Sequence, residues 1–167
     1  MNLAFDFTVN KENNTITVVR EFNAELALVW DAYTKSEILE QWWAPKPWKA
    51  KTKSMDFKVG GHWHYAMCGP AGEVHWAVTT YDRIEFQKLF AGLDSFTNEN
   101  GDINKELPQS NWEVSFVSKG NTTLVTTYTT YDSLEQLEAI INMGFKEGYT
   151  MAMEGLDAFL ATQIKGE

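Results

Sequence analysis

Three histidines, His62, His64 and His75, and a single cysteine, Cys68, carry most of the reactive chemistry in this sequence. His62 and His64 stand two apart in an alternating segment, so their imidazoles share one face of a strand, as a metal site would need. The residues between and after them, Trp63, Tyr65 and Met67, form the apolar face and should point inward, leaving both histidines to solvent. Gly69-Pro70-Ala71-Gly72 then reads as a turn. Pairing Met67 with Glu73 across it sets His75 opposite Tyr65, on the other face from His62 and His64. The histidines then fail to converge, and no metal is expected, because two histidines alone are a weak motif. On this register His75 faces the interior. There a neutral imidazole is a polar handle for a ligand, an acid or base, or a core residue bonded to a neighbour such as Tyr65. A slip of one residue would reverse that face.

Other chemistry is sparse. Cys68 has no base at papain-like or redox spacing and reads as a packing residue at a strand end. No Ser-His-Asp elbow, phosphate loop, dinucleotide fingerprint or deaminase zinc pattern occurs, and no cofactor is expected. Glu25, Asp31, Glu37 and Glu40 fall on predicted helix surfaces and read as a solvated face.

The elements that must position these residues follow from periodicity. Residues 15–22 are rich in β-branched types and predict a strand. Asn23 can cap a helix running to about Tyr33, and a second short helix is expected over Ser36 to Trp42. Pro45 and Pro47 make the stretch to Lys53 a loop or an edge segment. Gly60-Gly61 marks a bend. Glu73 to Ile84 and Lys88 to Leu93 predict strands, whereas residues 94–110 are polar and read as an extended loop or hairpin tip. Trp112 to Val117 and Thr123 to Tyr131 form a last hairpin about Lys119-Gly120-Asn121. From Asp132 or Ser133 onward an apolar stripe from Leu134 to Leu160 predicts a long helix of about thirty residues, ~45 Å at 1.5 Å per residue. Gly144 and Gly148 interrupt its propensity and mark a bend or a close approach to the sheet. A lone helix with one apolar stripe must bury it against the sheet. The expected fold is therefore α+β: a curved antiparallel sheet of about six to seven strands around a long C-terminal helix, with two short helices after strand one.

Bulk properties exclude several partners. The 167 residues suit one domain with one core. A net charge of −9 disfavours nucleic acid and anionic membrane surfaces. One cysteine permits no internal disulfide and fits a reducing cytoplasm; the N-terminus carries no signal-peptide pattern and no segment is long enough to span a membrane. Aromatics at 14%, with 7 Trp, suit an apolar pocket as well as a bulky core, and exposed tryptophans would equally suit a homodimer surface.

Arg20-x-Phe22-x-Ala24, Val29-Trp30-x-Ala32-Tyr33-Thr34 and Trp42-Trp43-x-Pro45 resemble the opening of the SRPBCC superfamily. Asp56-Phe57-Lys58-Val59-Gly60-Gly61-His62-Trp63, Tyr81-Asp82-Arg83-Ile84 with Lys88-Leu89-Phe90, and Met143-Gly144-Phe145 through Leu156-Asp157-x-Phe159-Leu160 are similar, in order, to the family named after the activator of heat-shock protein 90 ATPase. The resemblance covers about residues 15 to 162. It implies the helix-grip, START or Bet v-like fold and a cavity between sheet and long helix. It does not supply a shared reaction. Its name also implies a chaperone-associated stress-response module, but the chaperone activator carries a separate N-terminal domain, and no chaperone partner is expected for this chain.

The expected function is binding of a small hydrophobic or amphipathic molecule. The expected lining is Trp43, Trp63, Tyr65, His75, Phe90, Trp112, Phe145 and Tyr149. Of the adjacent pair Trp42 and Trp43, one should pack in the core and the other close the cavity mouth. The alternative is a cavity enzyme of the cyclase, dehydratase or hydrolase kind with His75 as acid or base.

Overall fold

The alternating segments all become strands of one sheet. The computed structural model describes residues 3–165. Its strands are β1 (Phe5–Asn10), β2 (Thr15–Phe22), β3 (Lys49–Asp56), β4 (His62–Cys68), β5 (Val74–Glu85), β6 (Leu89–Thr97), β7 (Ser110–Ser118) and β8 (Thr123–Tyr131). They form one eight-stranded sheet in the order β1-β2-β8-β7-β6-β5-β4-β3, antiparallel throughout. Helices α1 (Leu26–Thr34) and α2 (Ser36–Trp42) follow β2, and α3 (Leu134–Asn142) and α4 (Phe145–Lys165) end the chain. This is the helix-grip arrangement. No helix among the described residues is long and apolar enough to cross a membrane.

The sheet has one strand more than the upper expected count. β1 is an edge strand that pairs only with β2 and is mostly exposed, so it lacks the buried alternation that makes a strand legible. The segment after Pro47 is likewise an edge strand, β3, paired with β4. The expected single long helix is two. Gly144 adopts φ +89° between them, a left-handed conformation that ends α3 and redirects the chain into α4. Ser133 caps α3 by accepting from the Gln136 amide at 3.1 Å. Asn23 plays no such role, because α1 begins after Glu25 without a side-chain cap.

Two apolar clusters hold the layers together. The larger joins Phe22 and the inward residues of β4 to β8 to Val29, Trp30 and Tyr33 of α1, to Leu39 and Trp42 of α2, and to Met153, Leu156 and Leu160 of α4. The smaller joins Ile16, Val18 and Tyr131 to Leu137 of α3. An Arg20–Asp157 ion pair ties α4 to β2 across the same space, with the guanidinium 4.7 Å from the Phe5 ring.

The β4–β5 register differs from the expected one by two residues. Met67 pairs with His75, and Tyr65 pairs with Ala77. The cause is the turn: Glu73 does not enter the ladder but closes the loop, its carbonyl accepting from the Gly69 amide at 2.9 Å and its carboxylate from the Ala71 amide at 2.8 Å. A shift of two preserves the face but moves His75 along the strand.

Candidate functional site

The register of the sheet lines up one row of residues across its inner face. Trp63 pairs with Thr79, Thr79 with Asp94, Asp94 with Ser110, and Ser110 with Tyr131. The next row runs Tyr81, Gly92, Trp112 and Thr129. Short polar side chains thus alternate with large aromatic ones on a surface that the helices cover. Tyr33 of α1, Leu39 of α2, Trp43 just after α2, and Phe145 and Tyr149 of α4 form the opposite wall. Between them lies a cavity of about 120 Å³. An engineered apolar cavity of roughly 150 Å³ accepts benzene, so this space suits about one ring.

Close approach of strands creates part of the shape. A Cβ on Gly92 would lie 1.8 Å from the Thr80 carbonyl oxygen and 3.2 Å from the Trp112 ring, so no other residue fits there without moving backbone. Next to it the pairing of β5 with β6 shifts between Tyr81 and Arg83. The bare position lets the Trp112 indole reach Asp94, donating to Oδ1 at 2.8 Å. Thr79 Oγ1 donates to the same oxygen at 2.6 Å. The second carboxylate oxygen has no hydrogen-bond partner among the described residues, and Asp94 has no ion-pair partner there either.

Burial, only partly offset by the Thr79 and Trp112 hydrogen bonds, raises the Asp94 pKa from 3.8 to about 6. Tyr65, Tyr81 and Tyr131 are all pushed upward, first by burial and then by the Asp94 charge. Burial also raises Tyr149, whose hydroxyl donates to Thr127 Oγ1 at 3.1 Å, and Tyr33, packed against Met153. The tyrosines around the cavity therefore stay protonated, and Asp94 is the group that titrates near neutrality.

Of the expected lining, Trp43, Trp63, Phe90, Trp112, Phe145 and Tyr149 face this cavity. Trp42 and Trp43 take different places. Trp42 is buried in the core and donates to the Ala32 carbonyl at 3.0 Å, while Trp43 sits at the cavity wall and donates to Tyr65 Oη at 3.1 Å. Tyr65 lies behind the wall, its ring stacked 3.8 Å from that of Trp63.

The placement of His75 is corrected. Moved along β5 by the turn, it is exposed at the strand end and stacks on Trp48 at 5.6 Å, outside the cavity. The other two histidines also differ from expectation. His64 is buried on the outer face, within 3.1 Å of the Asn98 carbonyl and 3.3 Å of Thr97 Oγ1, with Trp76 beside it. The segment after β6 folds over it, so this histidine does not meet solvent. His62 is half-buried and bonds Ser54 Oγ at 2.8 Å.

Sequence reasoning missed several lining residues, among them Tyr33, Thr79, Tyr81 and Tyr131, and above all the charged one, Asp94, because a charged residue opening a polar stretch reads as loop. A signal was present. The twelve-residue β5 needs a partner longer than Lys88 to Leu93, and the alternation of Phe90 and Gly92 continues to Asp94.

The geometry can be set beside known proteins. The family model described as activator of Hsp90 ATPase homolog 1-like protein matches residues 23–161. The chain belongs to this family. The activator-homolog fold recurs in a crystal structure from Mycobacterium smegmatis, 30% identical, with a TM-score of 0.86 over 95% of this chain and 97% of that one. A solution structure from Arthrobacter aurescens is also 30% identical, with a TM-score of 0.89 over 94% of this chain and 91% of that one. Another from Staphylococcus epidermidis is 26% identical, with a TM-score of 0.82 over 93% and 94%. No curated protein matches the sequence significantly. Membership in the activator-homolog family is consistent with a ligand cavity at this place in the fold.

Proposed function

We propose that this protein binds a small, mainly apolar molecule about the size of one ring in the cavity between sheet and helices. The observation that supports this reading is an aromatic-walled space that the side chains leave unfilled, with the Asp94 carboxylate in its lining and one oxygen of that carboxylate unbonded among the described residues. Apolar burial would supply most of the affinity and the polar row would orient the ligand. The single free cysteine fits action in the cytoplasm.

The test is a thermal-shift and tryptophan-fluorescence titration with toluene and benzyl alcohol. Trp43, Trp63 and Trp112 line the cavity and should report occupancy directly. A ligand at a hundred times its Kd stabilises by about 2.7 kcal/mol. At about 2–4 °C per kcal/mol for a domain of this size, Tm should rise by about 5–10 °C. Failure of both probes to shift Tm or fluorescence would remove the proposal.

A catalytic reading can no longer use His75, which lies outside the cavity. It would rest on Asp94, whose pKa of about 6 suits proton abstraction near neutral pH. Deuterium wash-in at the methyl group of acetophenone tests it. Exchange catalysed by the wild-type protein and lost in Asp94→Asn supports proton transfer, and equal exchange with both proteins refutes it.

A further inference from the structure

We propose that the ligand of this cavity carries an amine, and that the Asp94 carboxylate, meeting it through its unbonded oxygen, is the specificity determinant. The proposal rests on the cavity-binding reading above and adds the chemical class of the ligand.

The charge of Asp94 has no counter-charge in the cavity lining. Asp94 sits in the middle of the inner row of the sheet, between Thr79 and Ser110. Both donors that reach it, the Thr79 hydroxyl and the Trp112 indole, are neutral and converge on Oδ1. Among the described residues, no Lys, Arg or His lines the cavity. Arg20, the cation held beneath α4, is committed to Asp157. A largely desolvated carboxylate with neutral partners and a free oxygen has room for one more donor from outside the chain, best a cation. The remaining walls suit the same guest. Trp43, Trp63, Phe90 and Trp112 offer aromatic faces, which attract an ammonium as well as an apolar ring. A ligand carboxylate would meet only the Asp94 charge, with no cation to offset it. The cavity should therefore rank ligands of one shape as amine, then neutral, then acid.

The titratable groups facing Asp94 support a simple pH signature. They are Tyr65 on β4, Tyr81 on β5, Tyr131 on β8, Tyr33 on α1 and Tyr149 on α4, all held protonated by burial. Across pH 5 to 7.5 only Asp94 among these changes charge, so the preference for an amine should grow over that interval.

The experiment is isothermal titration of the whole chain with toluene, benzyl alcohol, benzylamine and benzoate at pH 7.5 and pH 5, repeated with Asp94→Asn. The expected result is benzylamine bound at least about ten-fold more tightly than benzyl alcohol at pH 7.5. That margin should shrink at pH 5 and vanish in Asp94→Asn, and benzoate should not bind the wild-type protein at pH 7.5. If toluene binds the wild-type protein but benzylamine gains nothing over benzyl alcohol, the amine assignment is overturned and the cavity reading stands. If none of the four binds, both fall. An amine preference that survives in Asp94→Asn, or is equal at both pH values, also overturns the assignment. Should the variant not fold, the wild-type series at two pH values decides alone.

Discussion

Replacing Asp94 by Asn should stabilise the protein, and only above the pH at which Asp94 ionises. The native carboxyl holds its proton up to about pH 6, whereas its ordinary value is 3.8. A folded-state pKa raised above the unfolded one gives stability that is fully present below the unfolded pKa and is lost as pH climbs through the folded pKa. Wild-type stability should therefore carry a decline between about pH 4 and pH 6 that belongs to this one group. The interval from 3.8 to about 6, at 1.36 kcal/mol per pH unit, makes that decline about 3 kcal/mol. This is a ceiling, because Asp94 keeps some accessible surface and its charge is partly screened. An Asn side-chain oxygen can still accept from Thr79 and Trp112, so the hydrogen bonds survive the change. Glu21, whose pKa is lowered chiefly by the Thr122 hydrogen bond, contributes with the opposite sign, but it is common to both proteins and cancels in the difference. The expected result is a Tm for Asp94→Asn above wild type by about 5–10 °C at pH 8 and by close to nothing at pH 4, at about 2–4 °C per kcal/mol. Urea melts at both pH values check the same quantity. A difference between the two proteins that does not change with pH would refute the assignment of a strained, ionised Asp94.

Three further outcomes follow from named contacts. Gly92→Ala places a Cβ against the Thr80 carbonyl and should cost about 3 kcal/mol, at the upper end for overpacking, read as a lower urea midpoint with unchanged m. Gly144→Ala puts a side chain at φ +89° and should cost about 1–2 kcal/mol by the same measurement, as the left-handed position demands. His75→Gln should leave toluene binding within about two-fold of wild type and stability within about 0.5 kcal/mol, because the ring is exposed and stacked on Trp48 away from the cavity; a loss of binding would return His75 to the site.

How much of this was legible depended on whether a feature had a period. The apolar stripe of the C-terminal helices and the alternation of Trp63, Tyr65 and Met67 are periodic, so the layers and the aromatic wall could be read directly. Trp63 and Phe145 follow from those patterns. What failed were decisions that a single turn controls. The Glu73 carbonyl, held by the Gly69 amide, advanced β5 by two residues and carried His75 past the end of the site. Asp94 failed for the opposite reason. Charge is the usual mark of a loop, and burying it in a strand makes sense only once Thr79, Trp112 and the inner face are seen together. Local pattern encodes which face a residue takes; where along a strand it lies is encoded by contacts distant in sequence.

The hole and the charge fall in one place, and that coincidence carries the functional argument further than either feature alone. The walls leave about 120 Å³ unfilled. Ionising Asp94 beside that space costs at most about 3 kcal/mol, from the pH dependence worked out for this group. Even part of that is sizeable against the net stability of a typical domain, about 5–15 kcal/mol. Larger apolar side chains at Thr79, Thr127 or Thr129 would close the space, and an amide at position 94 would remove the charge. Both repairs are single substitutions. The proposed binding site would use both, one for volume and the other for recognition.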